Sequence, residues 1–355
     1  MSKNMYPDLQ KLTSSVQNNC HISDALHAGD DTLCIYLLKM REFYRWENKL
    51  SFHDALDNKD ISHWLQQREE LWESMETNDF CSLSVNDQFF EPFASDKINA
   101  QLLEHGLVYS GGLGRRTKPH FFLAELLEKK TYHDFTVLIS NKEYARDLSA
   151  PAAMTQGQTI YIRRESLQRI LWEMIEQWRW NEPDNAMGRT LAFYDFSQDP
   201  ELALEQLTDN ELESMLLHEL GELHAGRILG EAWGSLLVSG TRSKMEIMLR
   251  AIRDHLADAL STLPHLVENN NKAALHFYFA NLNYMRKDLF PSLYSAYENW
   301  YQDANVVPLK NIILKGKEHW QSLCLEIVDL AEKYVNNNSI IPENKIINLI
   351  ERNRL

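Results

Sequence analysis

NELESMLLHELGELHAGRILGEAW, residues 210–233, is the stretch that indicates how this chain of 355 residues folds. Apolar residues recur along it at helical spacing on two faces: Leu212, Leu216, Leu220 and Leu223 on one, and Met215, Ala225 and Leu229 on the other. A helix that is apolar on more than one side is typically buried. The stretch therefore predicts an interior helix, capped by Asp209, in a helical core.

Helical periodicity recurs on both sides of this stretch. The predicted helices cover residues 8–28, 31–48, 60–76, 165–180, 243–262 and 309–335, with a further helical run over 272–303. The pattern changes to short β-like runs in GLVYSGGLGRRTKPHFFLAEL (106–126), DFTVLIS (134–140) and QTIYIRR (158–164). The sequence thus predicts an α+β fold that is predominantly α-helical: a helical bundle with a small, mostly antiparallel sheet inserted around residues 105–165.

The order of these patterns predicts four segments. An N-terminal helical segment covers residues 1–80, and a small β-containing segment covers 81–165. A helical domain over 166–335 carries the candidate site. The polar run VNNNSIIPEN (335–344) is typical of a linker, so residues 336–355 are predicted to form a linker and a loosely attached tail.

Composition excludes several classes of function. The formal net charge is −15, whereas binding to a phosphate backbone needs clustered Lys and Arg, so a nucleic-acid partner is not expected. No run of about eighteen apolar residues and no signal-peptide core are present, so we expect no membrane span and a cytoplasmic location. Four widely spaced cysteines do not make a disulfide scaffold.

The segment LLHELGELHAG, residues 216–226, carries the strongest chemical signal. His218 and Glu222 are four residues apart, so on a helix their side chains project from the same face and can hold one ion. Glu219 follows His218 directly and is placed beside such an ion without binding it. The alternative is that His218 and Glu222 pair with each other or with a nearby arginine, as buried charges need partners.

This segment resembles the HExxH helix of zinc proteases. The resemblance implies that His218 is a metal ligand and that Glu219 is the general base towards metal-bound water. Glu222 stands where the signature has its second histidine, which puts membership of the protease family in doubt. A carboxylate can still bind zinc, and iron or manganese accept oxygen ligands more readily. The expected cofactor is therefore a divalent metal ion, either zinc or iron or manganese.

Two other segments offer ligands that would complete the site. In IRDHLADAL (252–260), His255 and Asp258 are three residues apart, and Asp254 and Asp258 are four apart. In NCHISDALHAGD (19–30), Asp24 and His27 are three apart. Glu42 or Glu47 on the second predicted helix could join them in a two-metal centre of the kind that helical bundles hold. Solvated helix faces and exposed histidines are the alternatives.

The glycine-rich segment SGGLGRRTKPH, residues 110–120, offers a weaker candidate. Its cations, Arg115 among them, could hold an anion, and His120 could take part in chemistry. The segment lacks the spacing of a phosphate-binding loop, and its position between two strands favours an ordinary hairpin turn.

Three runs together resemble an uncharacterised bacterial protein family. They are NCHISDALHAGDDTLCIYLLKMREFYRWE, GLVYSGGLGRRTKPHFF and LLHELGELHAG, and the resemblance covers residues 15–265 approximately. A family without an established activity implies no function and no catalytic residue. The likeness to the zinc-protease helix is separate and local.

Three functions remain open at this stage. The first is a metal-dependent hydrolase with Glu219 as catalytic base and His218, Glu222 and one of His255 or Asp258 as ligands. The second is a helical di-metal oxidase or oxygenase that adds Asp24 and His27. The third is a non-enzymatic interaction protein. The substrate, a small molecule or a peptide, is not indicated, and a homo-oligomer is compatible with the sequence.

Overall fold

The computed structural model describes residues 8–30, 32–114, 117–132, 134–239, 243–336 and 341–355. The chain forms two compact units, Met1–Ile175 and Glu176–Leu355. Most elements are helices, and the strands form one sheet of five strands and one of two. The predicted α+β, mainly helical class is therefore confirmed. No helix in the described ranges is long and apolar enough to cross a membrane.

The N-terminal unit combines helices with all the described strands. Its helices are α1 (Leu9–His27), α2 (Leu33–Glu47), α3 (Asn58–Glu73), α4 (Ser95–Leu102) and α5 (Arg164–Arg179), the last of which continues past Ile175. Its strands are β1 (Leu83–Val85), β2 (Gln88–Phe90), β3 (Leu107–Leu113), β4 (Pro119–Tyr132), β5 (Phe135–Arg146), β6 (Ala153–Gln156) and β7 (Thr159–Arg163).

The larger sheet has the strand order β3-β4-β5-β7-β6. All neighbours are antiparallel except β5 and β7, so the predicted mostly antiparallel sheet is present. The predicted glycine-rich hairpin joins β3 to β4, with Leu113 opposite Pro119. Strand β6 was not predicted because its four residues are too short for a period-2 signal. Gly157, with φ +55°, makes the tight turn from β6 into β7.

Helix α1 covers one face of this sheet. Leu12, Val16 and Cys20 recur every four residues and are buried against Phe121 and Leu123 of β4. The spacing of four puts these side chains on one helical face. The next residue on this face, four positions after Cys20, is Asp24, whose carboxylate is also buried.

The C-terminal unit is entirely helical over its described residues. Its helices are α6 (Ala186–Leu191), α7 (Pro200–Ser239), α8 (Lys244–Leu260), α9 (Thr262–Glu268), α10 (Lys272–Ala280), α11 (Tyr284–Leu289), α12 (Pro291–Asp303), α13 (Val307–Asn336) and α14 (Glu343–Arg352). Helix α8 lies at the centre and packs against α7, α9, α11, α13 and α14. Met245, Met248, Leu249, Ile252 and Leu256 are buried on one face of α8, and residues on its other faces, such as Ala251, Ala257 and Asp258, are buried as well.

Helix α7 is longer than the sequence pattern indicated. It begins at Pro200, a favourable first helical residue, and the Asp199 carboxylate accepts a hydrogen bond from the backbone N–H of Leu202 at 3.0 Å. The prediction that Asp209 caps this helix was therefore wrong, because the helix begins almost three turns earlier and has its cap at Asp199. Gly230, with φ +68°, interrupts the helical backbone near its end.

The C-terminal segment is not a loose tail. Helix α14 buries Ile346 and Ile350 completely in the same hydrophobic core as α8 and α13. The tail prediction was wrong because it rested on the polar run before this helix. Isoleucines four residues apart are enough to anchor one helical face.

Replacing Ile346 by alanine is expected to lower the free energy of unfolding of the C-terminal unit by about 2–5 kcal/mol, since it leaves a cavity in a closed core. Asn348→Ala changes an exposed residue of the same helix and is expected to have little effect. Urea unfolding followed by circular dichroism measures both. Equal stability of the two variants would mean that α14 does not contribute to the core.

Candidate metal-binding site

Helices α7 and α8 pack closely together at Gly221. A Cβ atom at this position would lie 2.3 Å from the carbonyl oxygen of Ala257, closer than any side-chain carbon can come. A larger residue would therefore push the two helices apart. The close packing brings the face of α7 that carries His218 and Glu222 against the face of α8 that carries Asp254 and Asp258.

His218 has a different carboxylate at each ring nitrogen. Its Nδ1 lies 2.7 Å from Oδ1 of Asp258, and its Nε2 lies 3.4 Å from Oε1 of Glu222. Burial opposes protonation of the ring, but the charge and hydrogen bond of Asp258 outweigh it, so the pKa of His218 is raised well above its usual value. In the absence of a metal ion the imidazole is therefore held as a cation between two carboxylates.

Asp258 is buried and surrounded by donors from three further helices. It accepts hydrogen bonds from the hydroxyls of Thr262 and Tyr278, at 3.1 Å each, and from the guanidinium of Arg286. Burial would raise the pKa of Asp258, but the charges of Arg286 and His218 lower it. The carboxylate is thus ionised and fixed, and it orients the ring of His218.

Glu222 and Asp254 share one guanidinium. Nη2 of Arg253 donates to Oε1 of Glu222 at 2.6 Å and lies 3.3 Å from Oδ1 of Asp254. Burial would raise the pKa of Glu222, but the His218 hydrogen bond and the Arg253 charge lower it to about 2. The pKa of Asp254 is raised because burial is the larger influence on it. The negative charge of Glu219 also contributes to raising the pKa of Arg253.

His218, Glu222 and Asp254 form the one group of potential metal ligands found among the described residues. Each offers a ligand atom, and these atoms all lie within 4.8 Å of one another. The three side chains are half-buried, so solvent reaches the group. The sequence also allowed that these side chains only pair with one another or with an arginine. Such pairs are present: His218 contacts Glu222, and Glu222 contacts Arg253.

The two residues predicted to complete the site lie differently from expectation. Asp258 meets His218 but binds its Nδ1, behind the ring, and not beside Nε2. His255 does not join the group: its Nε2 donates to the backbone carbonyl of Arg286 at 3.0 Å, and its ring stacks on Trp320 at 5.2 Å. His255 points towards α11 and α13, which cover α8 beside the face that meets α7.

Comparison with known proteins places the whole chain in one family. Residues 11–163 match the N-terminal domain, and residues 168–351 the C-terminal domain, of a family of unknown function, DUF6866. The chain belongs to this family. The expectation of an uncharacterised family is thereby confirmed, and the candidate site lies in the family's C-terminal domain. No curated protein and no solved structure matches the chain.

Asp24 and His27 lie in the family's N-terminal domain and have separate partners. Asp24 accepts from the backbone N–H of Leu148 at 2.8 Å, with Nζ of Lys118 3.8 Å away. Burial and the nearby charge of Asp147 raise the pKa of Asp24 to about 8. His27 instead lies at the end of α1, 3.3 Å from Asp30. The two residues therefore do not form a shared pair of ligands.

His120 belongs to the same buried charge cluster as Asp24. Its Nδ1 lies 3.2 Å from Oδ2 of Asp147, whose pKa is lowered because the charge of His120 outweighs the effect of burial. The turn packs on this ring, since a Cβ on Gly114 would lie 2.4 Å from it. His120 thus joins the turn to the sheet. Arg115 lies outside the described residues.

The remaining carboxylates that were considered for a two-metal centre are paired with arginines. Glu42 contacts Arg41 and Arg45, at 2.9 and 3.3 Å, and Glu47 binds Arg68 at 2.5 Å. These pairs belong to the N-terminal domain and leave the carboxylates committed to structural contacts.

Several residues of the site were missed from the sequence. Asp254 had a signal, since it is four residues from Asp258 and shares its helical face, but no role followed from the spacing. Arg253 is its chain neighbour and had no signal of its own. Tyr278 and Arg286 come from α10 and α11, and no local pattern links them to Asp258.

Replacing His255 by glutamine is expected to make the C-terminal unit more resistant to acid. Burial and the Arg286 charge lower the pKa of His255 to about 3. Below its ordinary pKa of about 6.5, the unfolded chain takes up a proton that the folded chain refuses, so the wild type loses up to about 1.4 kcal/mol of stability per pH unit until pH 3 is reached.

Urea unfolding at pH 7 and pH 5 measures this difference. The wild type is expected to lose about 2 kcal/mol more than His255→Gln over this range. An equal loss in both proteins would show that the imidazole is not buried in its neutral form.

Proposed function

We propose that the C-terminal domain binds one divalent metal ion through His218, Glu222 and Asp254 and uses it to hydrolyse a small molecule or a peptide. The orientation of His218 carries the proposal. Its Nδ1 is held by the carboxylate of Asp258, while Nε2 is directed at Glu222. Histidines that bind metals are held in this way, with a carboxylate on the nitrogen that does not face the metal.

The spacing of the ligand atoms supports the same proposal. Two ligands bonded to a tetrahedral zinc at about 2.1 Å lie roughly 3.4 Å apart. Nε2 of His218 and Oε1 of Glu222 are 3.4 Å apart, so one ion can bind both with little movement. The third ligand is Asp254, four residues before Asp258, in place of the predicted His255 or Asp258.

The charges of the cluster also favour a cation. Four carboxylates, those of Glu219, Glu222, Asp254 and Asp258, face three cations in the metal-free cluster: the guanidinium groups of Arg253 and Arg286 and the ring of His218. Arg286 is committed to Asp258, which leaves Arg253 as the cation between Glu222 and Asp254. Arg253 therefore stabilises the metal-free site and has to release these carboxylates when a metal binds them.

We assign the catalytic role in this proposal to Glu219. A bound divalent ion would lower the pKa of a water molecule and polarise a carbonyl or phosphoryl oxygen. Glu219 follows His218 on α7 and interacts electrostatically with Arg253 of the same cluster, and in the proposal its carboxylate would accept the proton of that water. One histidine and two carboxylates suit zinc, and they suit manganese or iron equally well.

The two-metal oxidase receives no support from the contacts of Asp24 and His27, which are committed to separate partners. The interaction protein without an enzymatic activity is retained as the alternative outcome of the experiments.

Metal titration tests the ligand set. The full chain, stripped with a chelator, is expected to bind one equivalent of Zn²⁺ or Mn²⁺ by isothermal titration calorimetry. His218→Ala and Asp254→Asn are expected to weaken binding by more than about tenfold, because each removes a ligand. Arg253→Gln is expected to bind the metal more tightly, because it removes the competing cation.

A matched control is available outside the cluster. His265 of α9 lies 3.1 Å from Glu213 of α7, and among the described residues this histidine–carboxylate pair belongs to no group of three potential ligands. His265→Ala is expected to leave metal binding unchanged. Circular dichroism confirms that each variant folds. Wild-type affinity in correctly folded His218→Ala would eliminate the site, and with it the proposed function.

Hydrolysis is tested separately with Glu219→Gln. This variant is expected to keep its metal ion and to lose more than about a hundredfold in turnover, because the general base is removed. The measurement uses metal-loaded protein with a p-nitrophenyl ester, a p-nitrophenyl phosphodiester and a peptide library. Metal binding without metal-dependent turnover of any of these would argue for the interaction protein instead.

A further inference from the structure

We propose that a groove between helices α1, α2 and α3 of the N-terminal unit binds a basic amphipathic helix of a partner protein. The groove has a volume of about 670 Å³. Its floor is apolar and includes Ala25, Leu33, Tyr36 and Trp72. This surface, called the acidic groove below, is independent of the proposed metal site, because it belongs to a different compact unit.

The described part of the chain leaves the apolar side of the acidic groove uncovered. On α2, Leu33, Leu37, Met40 and Tyr44 recur at the spacing of an amphipathic helix. Met40 is only 1% exposed, whereas Leu33 is 71% and Leu37 is 45% exposed. The apolar stripe thus continues beyond the part of it that this unit covers. An exposed apolar face of this kind is typical of an interaction surface.

The opposite rim of the groove is acidic. Glu69, Glu70, Glu73 and Glu76 line it, and all four are exposed. None of them forms a salt bridge with a Lys or Arg in the described ranges. Glu47 on α2 differs from them, because it forms a salt bridge with Arg68 at 2.5 Å. The rim therefore carries like charges that repel one another and that a cationic partner would neutralise.

These two features define the chemistry of the partner. The negative rim repels nucleic acid and anionic lipid. The apolar floor favours a partner that carries apolar side chains as well as cations. On α3, Glu69 to Glu73 extend over four residues, roughly 6 Å along the helix axis, and Glu76 follows in the turn after the helix. Lys or Arg residues one turn apart on a partner helix match this length, while leucines on its other side reach Leu33. Such binding of a helix in a groove is a common mode of peptide recognition.

The experiment uses the full chain and a fluorescein-labelled synthetic peptide of fourteen residues. Leucines and lysines in the peptide are spaced so that they form opposite faces of a helix. Fluorescence anisotropy is expected to show saturable binding. The double variant Glu70→Lys, Glu73→Lys is expected to weaken it by more than about tenfold, because it reverses two charges of the rim.

The matched control reverses two acidic residues elsewhere. Asp329 and Glu332 are exposed and also lie three residues apart on a helix, α13. Asp329→Lys, Glu332→Lys changes the net charge by the same amount and is expected to keep the wild-type affinity. Equal weakening by both double variants would show attraction to net charge alone and would overturn the proposal.

The apolar half of the proposal has its own pair of variants. Leu33→Ser is expected to weaken binding severalfold, whereas Leu314→Ser, at an exposed position of α13, is not. Both sites are exposed, so folding is preserved. Light scattering excludes the other occupant: a dimer that dissociates in Leu33→Ser would mean that a second copy of this chain covers the groove, and would overturn the proposal.

Discussion

The carboxylate of Asp258 is the group on which the C-terminal site depends. It is nearly inaccessible to solvent, and a charge in that position is strongly destabilising unless it is surrounded by donors. The donors come from four helices other than its own: His218 from α7, Thr262 from α9, Tyr278 from α10 and Arg286 from α11. One buried anion therefore joins five helices, and the ring of His218 takes its orientation from that arrangement.

The close contact at Gly221 and the anchor at Asp258 act together. The glycine lets α7 and α8 approach, and the buried carboxylate then fixes one nitrogen of His218. The other nitrogen is left towards solvent among Glu222, Asp254 and Arg253. Arg253 pairs with two of these carboxylates, and in the metal-bound state that we propose a metal ion would take its place.

The N-terminal unit uses acidic residues in two different ways. In the interior of the N-terminal unit, Glu143 is held by Arg163 at 2.8 Å, and Asp147 is held by His120. On the surface of α3, by contrast, Glu69, Glu70 and Glu73 form no salt bridge with any Lys or Arg that the structure describes, and they lie beside the exposed Leu33. Buried charges are paired because desolvation requires it. The surface row is under no such requirement, which is why it is informative about a partner.

A substantial part of the site was predictable because it is local. His218, Glu219 and Glu222 lie within five residues of a helix, and helical geometry alone puts His218 and Glu222 on one face. His255 was assigned wrongly for a related reason. Spacing says that His255 and Asp258 are near each other on α8, but not which of the neighbouring helices each side chain meets. The ring of His255 stacks on Trp320 of α13, whereas Asp258 binds His218 of α7.

By itself the sequence determined the helical class, the positions of most helices and strands, and the pairing of an imidazole with a carboxylate on α7. These follow from backbone periodicity and from neighbours within one or two turns. Only the tertiary structure decided that α14 joins the core, that Asp254 and Arg253 complete the cluster, and that Arg286 and Tyr278 hold Asp258. Those contacts join residues far apart in the chain, and they depend on how helices pack, which no local pattern of residues encodes.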